Sequence, residues 1–138
     1  MTEKVKLGII GYGAEGGMYA SFFAQKDERL NEDVIELAAI CDIDPAKREK
    51  IAKDFPGLPV FDNYLDLLDS GVVNAIVTTV PHYDHVVMGI DALKRGIHLL
   101  GEKPAGVYTK EVERLIEASE EYSDTTFAIF FNQRTNPL

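Results

Sequence analysis

A doubly wound α/β domain, a parallel sheet with helices on both faces, is the fold class this sequence predicts. Three observations carry it. Short apolar runs alternate with amphipathic stretches from one end of the chain to the other, the pattern of successive βαβ units. The first apolar run, Val5-Lys-Leu-Gly-Ile-Ile-Gly11, opens directly into Gly11-Tyr-Gly13-Ala-Glu-Gly16, a glycine triplet at a strand-to-helix turn. A length of 138 residues suits one domain with one core.

The elements follow in order. The first run is nearly continuous in apolar residues, as a strand buried on both faces should be. Met18, Tyr19, Phe22 and Phe23 then recur at helical spacing. Glu36 to Asp42 reads as a second apolar strand. Asp44-Pro45 supplies an N-cap and a proline at the first helical position, Ile51, Ala52 and Phe55 form the buried stripe, and Pro56-Gly57 ends the helix. Val60-Phe61 is a short strand, Tyr64 to Leu68 a short helix, and Asn74 to Val80 a strand rich in valine and threonine. Val86, Val87, Ile90 and Leu93 mark a helix closed by Gly96. Ile97 to Leu100 is a strand, and Thr109 caps a helix burying Val112, Leu115, Ile116 and Tyr122. Thr126 to Phe131 is the last strand, with Phe127, Phe130 and Phe131 as core. The order is βαβα(βα)βαβαβ, without linker or repeat.

Composition narrows the function classes. Apolar residues make up 46% and charged residues 27%, an ordinary globular balance. No apolar run approaches the roughly 20 residues that span a bilayer, and Lys4 and Lys6 interrupt what could have been a leader. A cytoplasmic protein is expected. Cys41, the only cysteine, lies in Leu37-Ala-Ala-Ile-Cys41 and reads as a buried structural thiol. Three histidines and one cysteine offer no metal-ligand spacing, so no metal is expected. A net charge of −9 argues against nucleic acid or an anionic membrane as partner. A small anionic cofactor remains compatible, because backbone amides at a helix N-terminus hold a pyrophosphate whatever the net charge.

The candidate chemistry gathers where strands end. Gly11 permits the tight turn, Gly13 lets a pyrophosphate approach, Ala14 and Glu15 open the helix, and Gly16 lets the helix lie close to the strand. Asp42 closes the second strand, where a carboxylate accepts both ribose hydroxyls of an adenosine. That placement predicts NAD, with NADP disfavoured. Ligands of open α/β sheets bind outside the carboxyl ends of the strands. This rule singles out Thr79-Val-Pro81-His82, Gly101-Glu102-Lys103-Pro104 and Asn132-Gln-Arg134. Lys103 could donate a proton to a carbonyl or hydroxyl oxygen. His85 reads as a capping or packing residue and His98 as a satisfied sheet histidine.

Taken together these segments resemble the Gfo/Idh/MocA family of oxidoreductases. The likeness runs through Gly11–Gly16, Cys41-Asp-Ile-Asp-Pro45, Thr79-Val-Pro-His-Tyr-Asp-His85, Ala92-Leu-Lys-Arg-Gly-Ile-His98, Gly101-Glu-Lys-Pro104 and Asn132-Gln-Arg134, and covers essentially the whole chain. His82 stands where the family usually has asparagine, and Ala105 where it usually has leucine. The resemblance implies a Rossmann domain, here residues 1–138, followed in the family by an α+β substrate domain that this chain would lack. It implies hydride transfer between NAD and a sugar, polyol or related alcohol or ketone. Lys103 would sit beside the substrate hydroxyl and nicotinamide, Glu102 near the nicotinamide ribose, and Arg134 at the substrate end. A general acid/base histidine and homo-oligomer contacts would belong to the second domain, and the fragment alone would be inactive. Two other readings stay open at this point: a redox-sensing module that binds NAD without chemistry, and an S-adenosylmethionine-dependent methyltransferase. Lys103 counts against both, and Gly16 against the second.

Overall fold

Val5–Ile10, apolar at nearly every position, becomes the central strand β1 of a six-stranded sheet in a computed structural model that describes residues 4–24 and 34–134. The remaining strands are β2 (Ile35–Cys41), β3 (Val60–Phe61), β4 (Ala75–Thr78), β5 (His98–Gly101) and β6 (Phe127–Ile129). All pair in parallel, in the order β3-β2-β1-β4-β5-β6. Parallel neighbours need crossover connections, and these are helical. They are α1 (Ala14–Ala24), α2 (Pro45–Asp54), α3 (Tyr64–Asp69), α4 (His85–Leu93) and α5 (Thr109–Glu121).

Two cores flank the sheet. On one face Leu7, Ile9, Ile40, Val77, Ala20 of α1 and Ile51 of α2 pack together. On the other, Ile10, Ile76 and Leu99 meet Leu67 of α3, Val86 and Leu93 of α4 and Leu115 of α5. The strand order reverses between β1 and β4, because α1 and α2 cross over one face and the later helices cross over the other. That reversal opens a crevice at the carboxyl ends of β1 and β4.

The expected doubly wound fold and element order match this architecture, while several helix faces differ. Asp44 caps α2 as expected, its side chain accepting from the Ala46 N–H at 2.9 Å, with Pro45 in the first turn. Thr109 is not a cap: the N-cap position is Tyr108, without a side-chain hydrogen bond. In α1 the buried residues are Gly16 and Ala20, whereas Met18 is 59% and Phe22 44% exposed. A helix lying close over the glycine turn has room for small residues there, so the large ones rotate outward. Ala52, Val87, Ile116 and Phe131 are likewise exposed. Cys41 is buried as expected, and burial pushes its thiol up to about 12, out of reach of ordinary thiolate chemistry.

Candidate cofactor cleft

The glycine turn is wedged between two strand ends. The Gly11 N–H donates to the Cys41 carbonyl at 2.8 Å, and Thr79 Oγ1 donates to the Gly11 carbonyl at 2.6 Å. Gly11 has φ +97°, a conformation that favours glycine. A Cβ on Gly16 would overlap the Gly11 carbonyl and stand 2.7 Å from Thr79 Oγ1, so only glycine lets α1 begin this close to β1. A Cβ on Gly13 would meet nothing within 4 Å. Thus the first and third glycines serve the protein's own packing, and the second faces the space a ligand would take.

That space has two lobes. One, of about 280 Å³, is lined by Gly11, Gly13, Asp42, Lys47, Tyr64, Pro81 and neighbours at the ends of β1, β2 and β4. The other, of about 230 Å³, is lined by Gly13, Ala14, Glu15, His82, His85, Glu102 and Lys103. Gly13, Thr79 and Val80 line both, so the lobes meet over the glycine turn. A larger groove of about 760 Å³ lies at the opposite, amino ends of the strands. Its Lys4 and Glu36 pair with each other at 2.8 Å, and none of the glycine turn faces it.

Asp42 anchors the first lobe. It is 6% exposed; Oδ2 accepts the Tyr12 N–H at 2.7 Å and Oδ1 accepts the Asp44 N–H at 2.9 Å. A carboxylate has about four lone-pair sites, so each oxygen keeps one for a ligand hydroxyl. Lys47 Nζ stands 3.5 Å from Oδ2, and the Arg48 guanidinium donates to the Asp42 and Ile43 carbonyls at 3.0 and 2.8 Å. Tyr64, on the lobe wall, donates to Asp91 Oδ2 at 2.8 Å; burial, then that carboxylate, raises its phenol to about 12.

The second lobe is organised around Glu102 and His85. Glu102 is 5% exposed; one oxygen accepts the Tyr19 hydroxyl and the other the Lys103 N–H at 3.0 Å. The Tyr19 phenol is held above its usual range, first by burial and then by its bond to Glu102. His85, 4% exposed, sets Nδ1 2.8 Å from the Pro104 carbonyl and Nε2 2.9 Å from the Val80 carbonyl. It ties the turn after β4 to the turn after β5. Lys103 itself is exposed at the lobe.

Of the residues singled out from sequence, Gly11, Gly13, Ala14, Glu15, Asp42, Thr79, Pro81, His82, Glu102 and Lys103 line the two lobes, with Gly16 buried beneath them. Arg134 does not. It is exposed in a short 3-10 turn after β6 (Asn132–Arg134), its guanidinium 5.3 Å from the Phe131 ring. His98 accepts the Thr126 N–H at 2.9 Å, the satisfied sheet histidine expected. Tyr19 was legible only as one member of an apolar stripe. Its position three residues after Gly16, one turn along the same helix, was the signal available.

Residues 5–130 match the family model described as an oxidoreductase family with an NAD-binding Rossmann fold, Gfo/Idh/MocA. The inositol 2-dehydrogenase of Arthrobacter sp. (strain FB24) is 27% identical over 136 residues, covering 97% of this chain and 38% of that protein. The rhizopine catabolism protein MocA of Rhizobium meliloti is 27% identical over 119 residues, covering 86% of this chain and 35% of that one. The scyllo-inositol dehydrogenase of Lactobacillus casei, solved with NAD(H) and scyllo-inositol, superposes with a TM-score of 0.86 at 25% identity. That match covers 98% of this chain and 38% of the other. The chain therefore spans about two fifths of the length of these relatives.

Proposed function

This chain belongs to the Gfo/Idh/MocA oxidoreductase family as its NAD-binding Rossmann domain, and on that premise we propose that it is the cofactor half of a polyol or sugar dehydrogenase. The observation that carries the reading is the two-lobed cleft, with the buried Asp42 carboxylate at one end and the exposed Lys103 at the other. Asp42 would hold the adenosine ribose through its remaining lone pairs. Gly13, where a Cβ would meet nothing within 4 Å, and the N–H groups of the first turn of α1 would hold the pyrophosphate. Glu102 and Lys103 would flank the nicotinamide side.

Bound NAD+ supplies the acceptor for a hydride leaving an alcohol carbon. Lys103 directs its amino group at the oxygen on that carbon. In oxidation the hydroxyl proton passes to the lysine amine and on to a base; in reduction the ammonium, reprotonated from that same base, returns the proton to the carbonyl oxygen. Its neighbours Glu102 and His85 hold the two turns that form this wall. The substrate, a small polyhydroxylated molecule, is closed over the lobe by a second domain, which also supplies the base and the contacts between subunits. The coverage of the relatives supports that division. The single buried thiol suits the cytoplasm.

Calorimetry with NADH, NADP+ and S-adenosylmethionine tests the reading. NADH should bind, and Gly13→Val should weaken it on the order of 100-fold, about 2.8 kcal/mol, without lowering the thermal midpoint, since the valine meets no protein atom at its Cβ. Tight binding of S-adenosylmethionine with none of NADH would overturn it.

A further inference from the structure

We propose that Tyr19 is a positioning residue for Lys103, acting through the buried carboxylate of Glu102; the proposal rests on the reading of Lys103 given above. Glu102 directly follows β5 and uses its two oxygens on two different parts of the fold. One accepts the Tyr19 hydroxyl from α1, and the other accepts the backbone N–H of Lys103 at 3.0 Å. A single carboxylate thus joins the helix that starts at the glycine turn to the first residue of the wall opposite.

Both donors to Glu102 are neutral, and among the described residues none of the ion pairs involves it. The Tyr19 ring is held from its other side by Phe130, edge-on with centroids 5.6 Å apart and planes at 90°, so the hydroxyl is set before any ligand arrives. The phenol stays protonated, and therefore remains a donor. If that donor is removed, one oxygen of a 5%-exposed carboxylate is left without it. The oxygen then turns towards other donors, and the ammonium of the adjoining Lys103 is the cation one residue along the chain. Either movement releases the Lys103 N–H from Glu102 and shifts where Lys103 presents its amine. Tyr19 holds the lysine in place without touching substrate.

The test pairs Tyr19→Phe, which keeps the ring against Phe130, with Tyr122→Phe, which deletes a tyrosine hydroxyl at the end of α5 outside the cleft. In the 138-residue chain, amide exchange at Lys103 should quicken about tenfold or more in Tyr19→Phe and stay unchanged in Tyr122→Phe. In the protein that carries the substrate domain as well, kcat should fall about tenfold while the KM for NAD holds, and the loss should vanish in a Lys103→Met background. An unchanged Lys103 amide, or a kcat loss that persists undiminished beside Lys103→Met, overturns the proposal. Absence of polyol turnover in the unmutated two-domain protein would instead overturn the functional reading, and the amide measurement would still decide the role of Tyr19.

Discussion

At the β2 end of the cleft Asp42 is buried and both of its oxygens accept backbone N–H groups, whereas at the β5 end Lys103 is exposed and only its supports are buried. At the β2 end the carboxylate is desolvated and braced by the chain's own backbone. At the β5 end Glu102 and His85 fix the turn, and the lysine side chain reaches solvent. The first end presents a preset acceptor, the second a preset backbone that carries a free side chain. Binding needs only an anchored acceptor, but hydride transfer needs reacting atoms held within a few tenths of an ångström.

The strongest way to break this contrast is to ask the chain for catalysis alone. It should bind NADH yet give no steady NADH production from a panel of polyols, because positioning supplies many orders of magnitude in rate. Steady turnover by the purified 138-residue chain would show that the β5 end is complete as it stands.

Lys103→Met in the two-domain protein comes next. It should lower kcat by about 10²–10⁴-fold, the usual contribution of a general acid/base group, and leave NAD affinity nearly untouched, since the lysine does not line the lobe that holds Asp42. Pre-steady-state hydride transfer and NADH titration measure the two separately. A variant that loses affinity and keeps kcat would put Lys103 in the binding half of the comparison.

The smallest effect sharpens the β2 end. NADP places a phosphate of about −1.5 to −2 charge near Asp42 instead of a hydroxyl. At about 4 Å and an effective dielectric near 20, each like pair of unit charges costs on the order of 4 kcal/mol before screening. Lys47, 3.5 Å from Oδ2 and 43% exposed, offsets part of that. A preference for NAD of about 10²-fold should remain. Asp42→Ala should abolish the preference and also weaken NAD, because the ribose hydroxyls lose their charged acceptor, about 1.5–3 kcal/mol per hydrogen bond. Titrations of both cofactors into both proteins give the answer; equal affinities in the unmutated chain would remove Asp42 from its role.

How far the sequence reached differs along the chain for physical reasons. Gly11, Gly13 and Gly16 were legible because a strand-to-helix turn is local: its steric demands fall on residues a few positions apart. Asp42 and Lys103 were legible because strands in a parallel sheet all end on one side, so standing just past a strand's end is enough to place a residue. The exposed faces of α1 and α5 were not. Spacing reveals that a helix has an apolar stripe, but whether Met18 or Ala20 is buried depends on how near the helix lies to the sheet, and Gly16 set that distance. Arg134 was placed by likeness to a family pattern, and here its guanidinium lies over Phe131.

By itself, then, the sequence determined the alternation of strand and helix, the parallel sheet that such alternation requires, and the edge at which ligands meet it. Those follow from periodicity and from connections too long for hairpins, both properties of neighbouring residues. Only the tertiary structure decided that the Tyr19 hydroxyl would meet Glu102, 83 positions away, that His85 would bridge two turns, and that Asp42 would brace the glycine turn as well as face the cleft. A hydroxyl, an imidazole or a carboxylate accepts any partner of fitting polarity, and which partner it finds is set by the packing of elements distant in the chain.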